Sequence, residues 1–310
     1  MPAAGAAGFG DRVAERVQGR RSQIVLGLDP DPGRLWPRAV ELTRSGSSIA
    51  SAPAERAARA VAAHCRLVLE AAGDRCVAAK PQVAWFERLG APGWAALAEV
   101  VHDAAERGLL VIADAKRGDI EITARAYGQA FFGATETPFG TVPGLGVDAL
   151  TVNPLLGRDS LAPFVDAARA AGGGLFVLAR TSNPGAADVQ ELSLSGGGIV
   201  SDELARMIDE LGRPSVGVCG LADVGAVIGA TAPQRLESLR GLMPTAVLLL
   251  PGIGPQGGSS DGLAPAFAPG RAGGLVAASR AIVHAAAEGG DPASAAADAA
   301  ERLRELVWEM

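Results

Sequence analysis

Short apolar runs alternate along this chain with longer stretches in which apolar residues recur every three or four positions. The short runs cover residues 24–28, 76–79, 109–113, 149–152, 175–179, 216–219, 246–250 and 275–278. Nearly all carry Val, Ile or Leu on both alternating positions, as strands buried on both faces do. The longer stretches predict helices. Over 54–72, Ala57, Val61, Cys65, Val68 and Ala72 share one face. Residues 94–107, 161–171 and 202–211 read the same way, each followed by a glycine.

Strands alternating with helices imply parallel βαβ units, and eight strands close a (β/α)8 barrel of ~250 residues. The chain has 310 residues, so the excess goes to loops. These are the Ser-rich stretch 44–53 and the Gly-rich stretches 184–198 and 252–274. No linker divides the chain and no repeat recurs. The expectation is one TIM-barrel domain over 1–310, with a barrel core at about 22–284 and flanking N- and C-terminal helices. A doubly wound open sheet is the other α/β arrangement this pattern permits.

Composition narrows the class. Aromatics make up only 4% of the chain while 48% is apolar, much of it Ala, which favours packed helices over an all-β sandwich. The net charge is −6 with no basic stripe, which argues against a nucleic-acid partner. Cys65, Cys76 and Cys219 are far apart in apolar contexts. They read as small buried hydrophobes in a reducing compartment, not as disulfide or metal partners. No apolar run approaches the ~18 residues of a membrane span, and no basic-then-apolar leader opens the chain. The expectation is a cytoplasmic protein with no membrane partner.

The chemistry gathers where the apolar runs stop. In a barrel the site lies at the C-terminal strand ends. Those ends carry Asp29, Lys80, Asp114 with Lys116 and then Asp119, Asn153, Arg180-Thr181-Ser182-Asn183, a Pro-Gly-Ile-Gly-Pro-Gln-Gly-Gly turn at 251–258, and Ser279-Arg280. Asp114 and Lys116 share a strand face under period-two alternation. Charges at the mouth of an apolar strand are costly to desolvate unless they pair. A glycine-rich turn after strand seven with an arginine after strand eight is a common phosphate site in barrels. Single residues also admit plainer roles. Asp119 could cap a helix starting at Ile120, Ser182 and Asn183 could form a turn before Pro184, and Asp114 with Lys116 could be a structural ion pair. His64, His102 and His284 fall in helical patterns and read as structural.

At these residues the sequence resembles the orotidine 5′-phosphate decarboxylase family, in its bacterial subgroup with longer loops. The resemblance rests on Asp-Ala-Lys-Arg-Gly-Asp-Ile (114–120), Gly-Leu-Asp-Pro-Asp-Pro (27–32), Lys-Pro-Gln-Val-Ala-Trp-Phe-Glu (80–87), the 251–258 turn and the terminal Ser-Arg. It spans roughly 22–284. The resemblance implies cofactor-free, metal-free decarboxylation of orotidine 5′-phosphate to UMP and CO2 in de novo pyrimidine synthesis. It implies that Lys80, Asp114, Lys116 and Asp119 form an alternating charged tetrad with Lys116 as proton donor. Asp29 and Lys80 would hold ribose hydroxyls, and Ser182, or its neighbour Thr181, would read the pyrimidine. Gln256, Gly257, Gly258 and Arg280 would bind the phosphate. A homodimer is implied, with Asp119 and Thr123 serving the neighbouring subunit's site. No role follows for Asn153. The rivals are a magnesium-dependent hexulose-phosphate synthase or ketogulonate-phosphate decarboxylase, a Schiff-base aldolase, and a non-catalytic phosphate-binding barrel.

Overall fold

The computed structural model of the chain describes residues 7–46, 52–230, 233–252 and 262–310. Eight parallel strands close a barrel in chain order: β1 (Ile24–Leu28), β2 (Ala78–Pro81), β3 (Leu110–Arg117), β4 (Ala149–Val152), β5 (Gly174–Arg180), β6 (Val224–Ile228), β7 (Leu248–Pro251) and β8 (Gly274–Ala278). β1 pairs with β2 (Gly27 opposite Lys80) and with β8 (Ile24 opposite Val276), so the sheet has no edge and the open-sheet alternative falls.

One expected strand is misplaced. Residues 216–219 form a turn in which Val218 is fully exposed. Gly217 N–H donates to the Leu221 carbonyl and Gly220 N–H to the Gly217 carbonyl. The sixth barrel position goes to Val224–Ile228, an unbroken apolar run buried at every residue. The 216–219 run is shorter and lies between Pro214 and Gly220, so it cannot bury both faces. A two-stranded hairpin, Ala134–Thr137 with Gly140–Pro143, is a further element that the apolar pattern does not announce. Its residues are almost all exposed.

Two apolar layers hold the barrel. One lies between strands and surrounding helices, where Phe86, Leu97, Phe131, Leu150, Phe164 and Ile208 are buried completely or nearly so. The other fills the barrel interior and its N-terminal mouth, which helix Phe9–Arg20 closes with Phe9, Val13 and Val17. Phe9 meets Phe176 edge-to-face at 6.0 Å. Gly174 makes this fit possible, because a Cβ there would lie 2.3 Å from the Phe9 ring. Asp11 accepts from Cys219 N–H, and Arg20 donates to the carbonyls of Gly73, Cys76 and Arg107. The helix thus covers the strand starts and satisfies backbone groups left open there.

His64 is buried on helix Pro53–Ala72, and its Nδ1 accepts the Trp36 N–H at 3.1 Å. Burial, with His284 nearby, pushes this imidazole down to about 4. It is a neutral acceptor inside the fold, as its helical position suggested.

Candidate active site

A cavity of about 540 Å3 opens at the C-terminal ends of the strands. All eight barrel strands contribute to its lining, β4 giving Thr151 and β6 Val227, each from the position before its last residue. Asp29 follows β1, Lys80 and Gln82 come from β2 and its exit, and Asp114 and Lys116 from β3. Leu178, Thr181 and Ser182 come from β5, Pro251 and Gly252 from β7, and Ser279 and Arg280 from β8. A larger recess of about 890 Å3 lies outside the barrel, between helices Glu121–Phe131 and Arg158–Ala170. It receives none of Lys80, Asp114, Lys116 and Asp119, whereas the first three line the smaller cavity.

Asp114 is the centre of the floor. Its Oδ2 accepts from Lys80 Nζ at 2.6 Å and Gln82 Nε2 at 3.2 Å. Its Oδ1 accepts from Lys116 Nζ at 2.5 Å and Thr151 Oγ1 at 3.0 Å. An ionised carboxylate offers about four acceptor positions, and here all four are used. Burial opposes the charge on Asp114, but the Lys80 and Lys116 ammoniums outweigh it and hold the carboxyl well below the usual range. Burial likewise opposes the charge on Lys80, and Asp114 with Asp29 outweighs it, so Lys80 is raised. Both groups are less than a tenth exposed, so neither can lose its partner cheaply.

Period-two alternation is not what brings Lys116 to Asp114. β3 carries a bulge against β4: Ala113 pairs with Leu150, but Arg117 pairs with Val152. Two extra residues therefore sit on β3 at this point. Lys116 takes φ +49°, and Glu121 takes φ +39°, so the run that carries Arg117, Gly118 and Asp119 is bracketed by two left-handed non-glycine residues. Each such residue costs on the order of 1–3 kcal/mol and persists only where its surroundings enforce it.

The β5 loop is tied to its strand. Thr181 N–H donates to Gln190 Oε1 at 2.8 Å, and Gln190 Nε2 donates to Thr181 Oγ1 at 3.0 Å. Thr181 Oγ1 in turn donates to Asn183 Oδ1 at 2.7 Å. Arg180 Nε bridges to Glu191 at 2.8 Å. Ser182 crosses over Gly229, where a Cβ would come within 2.6 Å of the Ser182 Cα. Only a glycine after β6 admits this close approach.

Thus Asp29, Lys80, Asp114, Lys116, Ser182 and Arg280 converge on one cavity. Asp119 and Thr123 do not line it. Asp119 accepts the Ile120 N–H at 2.8 Å, and Ile120, not Asp119, occupies the capping position of helix Glu121–Phe131. Thr123 is exposed one turn further on. Asn153 also stays outside, its Oδ1 accepting the Leu155 N–H in a turn. Gln256, Gly257 and Gly258 lie outside the described residues. Sequence reasoning assigned no role to Gln82, Thr151 or Gln190. The one available signal was Thr151, a lone hydroxyl inside the apolar run Ala-Leu-Thr-Val.

The chain matches the sequence pattern of the family described as "Orotidine 5'-phosphate decarboxylase / HUMPS family" over residues 22–299. It is 42% identical over 297 residues to an orotidine 5′-phosphate decarboxylase of Deinococcus radiodurans, covering 96% of each chain. It is 40% identical over 267 residues to that of Rhodopirellula baltica, covering 85% of this chain and 84% of the relative. Among solved structures it is similar to a putative orotidine 5′-phosphate decarboxylase from Streptomyces avermitilis, with a TM-score of 0.76 and 33% identity over 99% of this chain and 98% of the other. The barrel, the paired lysines on Asp114 and these likenesses agree: the chain belongs to the orotidine 5′-phosphate decarboxylase / HUMPS family.

Proposed function

We propose that the protein converts orotidine 5′-phosphate to UMP and CO2 without a metal or cofactor. The observation that carries this reading is Asp114 held between two lysine ammoniums on the floor of the cavity. Breaking the bond from C6 to the carboxylate leaves an electron pair on C6 with no adjacent sink. Lys116 Nζ stabilises that developing charge and then transfers a proton to C6, and solvent reprotonates the amine. A carboxylate fixed near the substrate carboxylate raises the ground state. Two unit charges ~4 Å apart interact by ~4 kcal/mol at an effective dielectric of ~20. Lys80 keeps Asp114 ionised and in place.

Asp29 and Lys80 hold the ribose in this reading, and Arg280 holds the phosphate together with the 256–258 turn. Arg280 supports this role because it faces the cavity and pairs with no carboxylate among the described residues. Ser182, which lines the cavity after β5, reads the pyrimidine in this reading. The test is the loss of orotidine 5′-phosphate absorbance with purified protein in EDTA. Turnover that requires added magnesium and a sugar phosphate would move the protein to the synthase branch.

The same reading makes the protein a cytoplasmic homodimer. Asp119 and Thr123 lie outside their own cavity on a segment where Ile120 and Ile122 are 58% and 76% exposed. That segment suits a partner's site. Mixing inactive Lys116→Ala chains with inactive Asp119→Ala chains then restores activity, since a mixed dimer holds one intact site. Absence of rescue under conditions of subunit exchange would remove Asp119 from the partner's site. No described helix is long and apolar enough to cross a membrane.

A further inference from the structure

We infer that Thr151 is a positioning residue for the decarboxylation, its hydroxyl setting the β3 bulge that carries Lys116 into the cavity. This rests on the reading of Lys116 as proton donor. Thr151 is 1% exposed, and its Oγ1 has two polar neighbours, Asp114 Oδ1 at 3.0 Å and Lys116 N at 2.9 Å. The direction of each hydrogen bond follows from chemistry. A carboxylate held ionised can only accept, so the single Thr151 proton points to Asp114. The Lys116 N–H can only donate, so it takes an oxygen lone pair. One hydroxyl therefore ties the backbone of the proton donor to the carboxylate that its side chain also grips.

The tie falls where the ladder fails. Between the pairs Ala113–Leu150 and Arg117–Val152, β4 has one residue, Thr151, and β3 has three. Lys116 N–H consequently has no strand carbonyl to use, and Thr151 supplies the acceptor. Without it, the part-buried N–H of the left-handed Lys116 is left unpaired, and the bulge loses the contact that enforces it. The hydroxyl lies beneath Lys116 and Asp114, so its loss acts on the placement of these groups and not on ribose or phosphate binding.

The experiment compares kcat and KM for orotidine 5′-phosphate in wild type, Thr151→Val, Thr151→Cys and Thr151→Ser. Val keeps the shape without the hydroxyl, Cys keeps a weak donor and poor acceptor, and Ser keeps both functions. Expected is a kcat about 10- to 100-fold lower in Val and Cys, with KM within about threefold of wild type. Ser is expected to restore kcat to within about threefold. If Val fails to fold, the Cys and Ser pair carries the test. Equal kcat in Cys and Ser, or a loss confined to KM, would overturn the inference. Failure of wild type itself to turn over substrate would instead overturn the functional reading beneath it.

Discussion

The two ends of this barrel carry the same ingredients to opposite effect. At the N-terminal end of the strands, charges are spent on closure. Arg20 fills three backbone carbonyls, Arg12 pairs with Asp148, and Asp11 takes the N–H of Cys219, all around the apolar plug of Phe9, Val13 and Val17. The space that remains there is a recess of about 320 Å3 beside Phe9, Gly173 and Asp223. At the C-terminal end, Lys80, Asp114 and Lys116 pair just as fully, but they border about 540 Å3 of open cavity. Saturated hydrogen bonding is therefore not what separates a structural cluster from a chemical one. The difference is the larger space beside the charges, about 540 Å3 against about 320 Å3, which lets a substrate replace solvent against an organised field.

The sharpest way to break the comparison is Lys116→Ala. Activity falls by about 10^4-fold or more, while UMP still binds by calorimetry. Substantial turnover would remove Lys116 as donor. The matching change at the other end is Phe9→Ala, which strips the plug. Denaturant unfolding should show a loss of about 3–5 kcal/mol, and kcat of the folded protein should stay at the wild-type value. A lowered kcat there would mean that the two ends are coupled.

His64 tests the layer outside the strands. Its folded-state value lies below its unfolded one, so its contribution is complete above pH 6.5 and is lost as pH falls from 6.5 toward about 4. The loss is on the order of 3 kcal/mol. Urea midpoints measured across this range should fall for wild type and fall less for His64→Gln, which keeps an acceptor for Trp36. The mildest change is Arg280→Ala. We expect kcat/KM to drop about 100-fold although Arg280 touches no reacting atom, because phosphate contacts order the site. An unchanged kcat/KM would refute the phosphate role.

Much of the site was legible because a charge directly after a buried apolar run is a local signal. Asp29, Lys80, Asp114, Lys116 and Arg280 all follow this pattern, and all line the cavity. The sixth strand was not legible in the same way. Both 216–219 and 224–228 are apolar, and only competition for one barrel position excludes the shorter run. Gln82 and Gln190 carry no local mark either. Each gains its role from a partner that only the fold brings into contact, Asp114 or Thr181.

The sequence by itself determined the alternation of strands and helices and the order of charges around one rim. Both follow from periodicity and from the cost of burying charge. Only the tertiary structure decided how those charges meet. The β3 bulge, the left-handed Lys116 and the Thr151 hydroxyl beneath it depend on the pairing of β3 with β4, whose paired residues lie 35 to 37 positions apart in the chain. A contact of that kind is set by barrel closure, which no window of neighbouring residues contains.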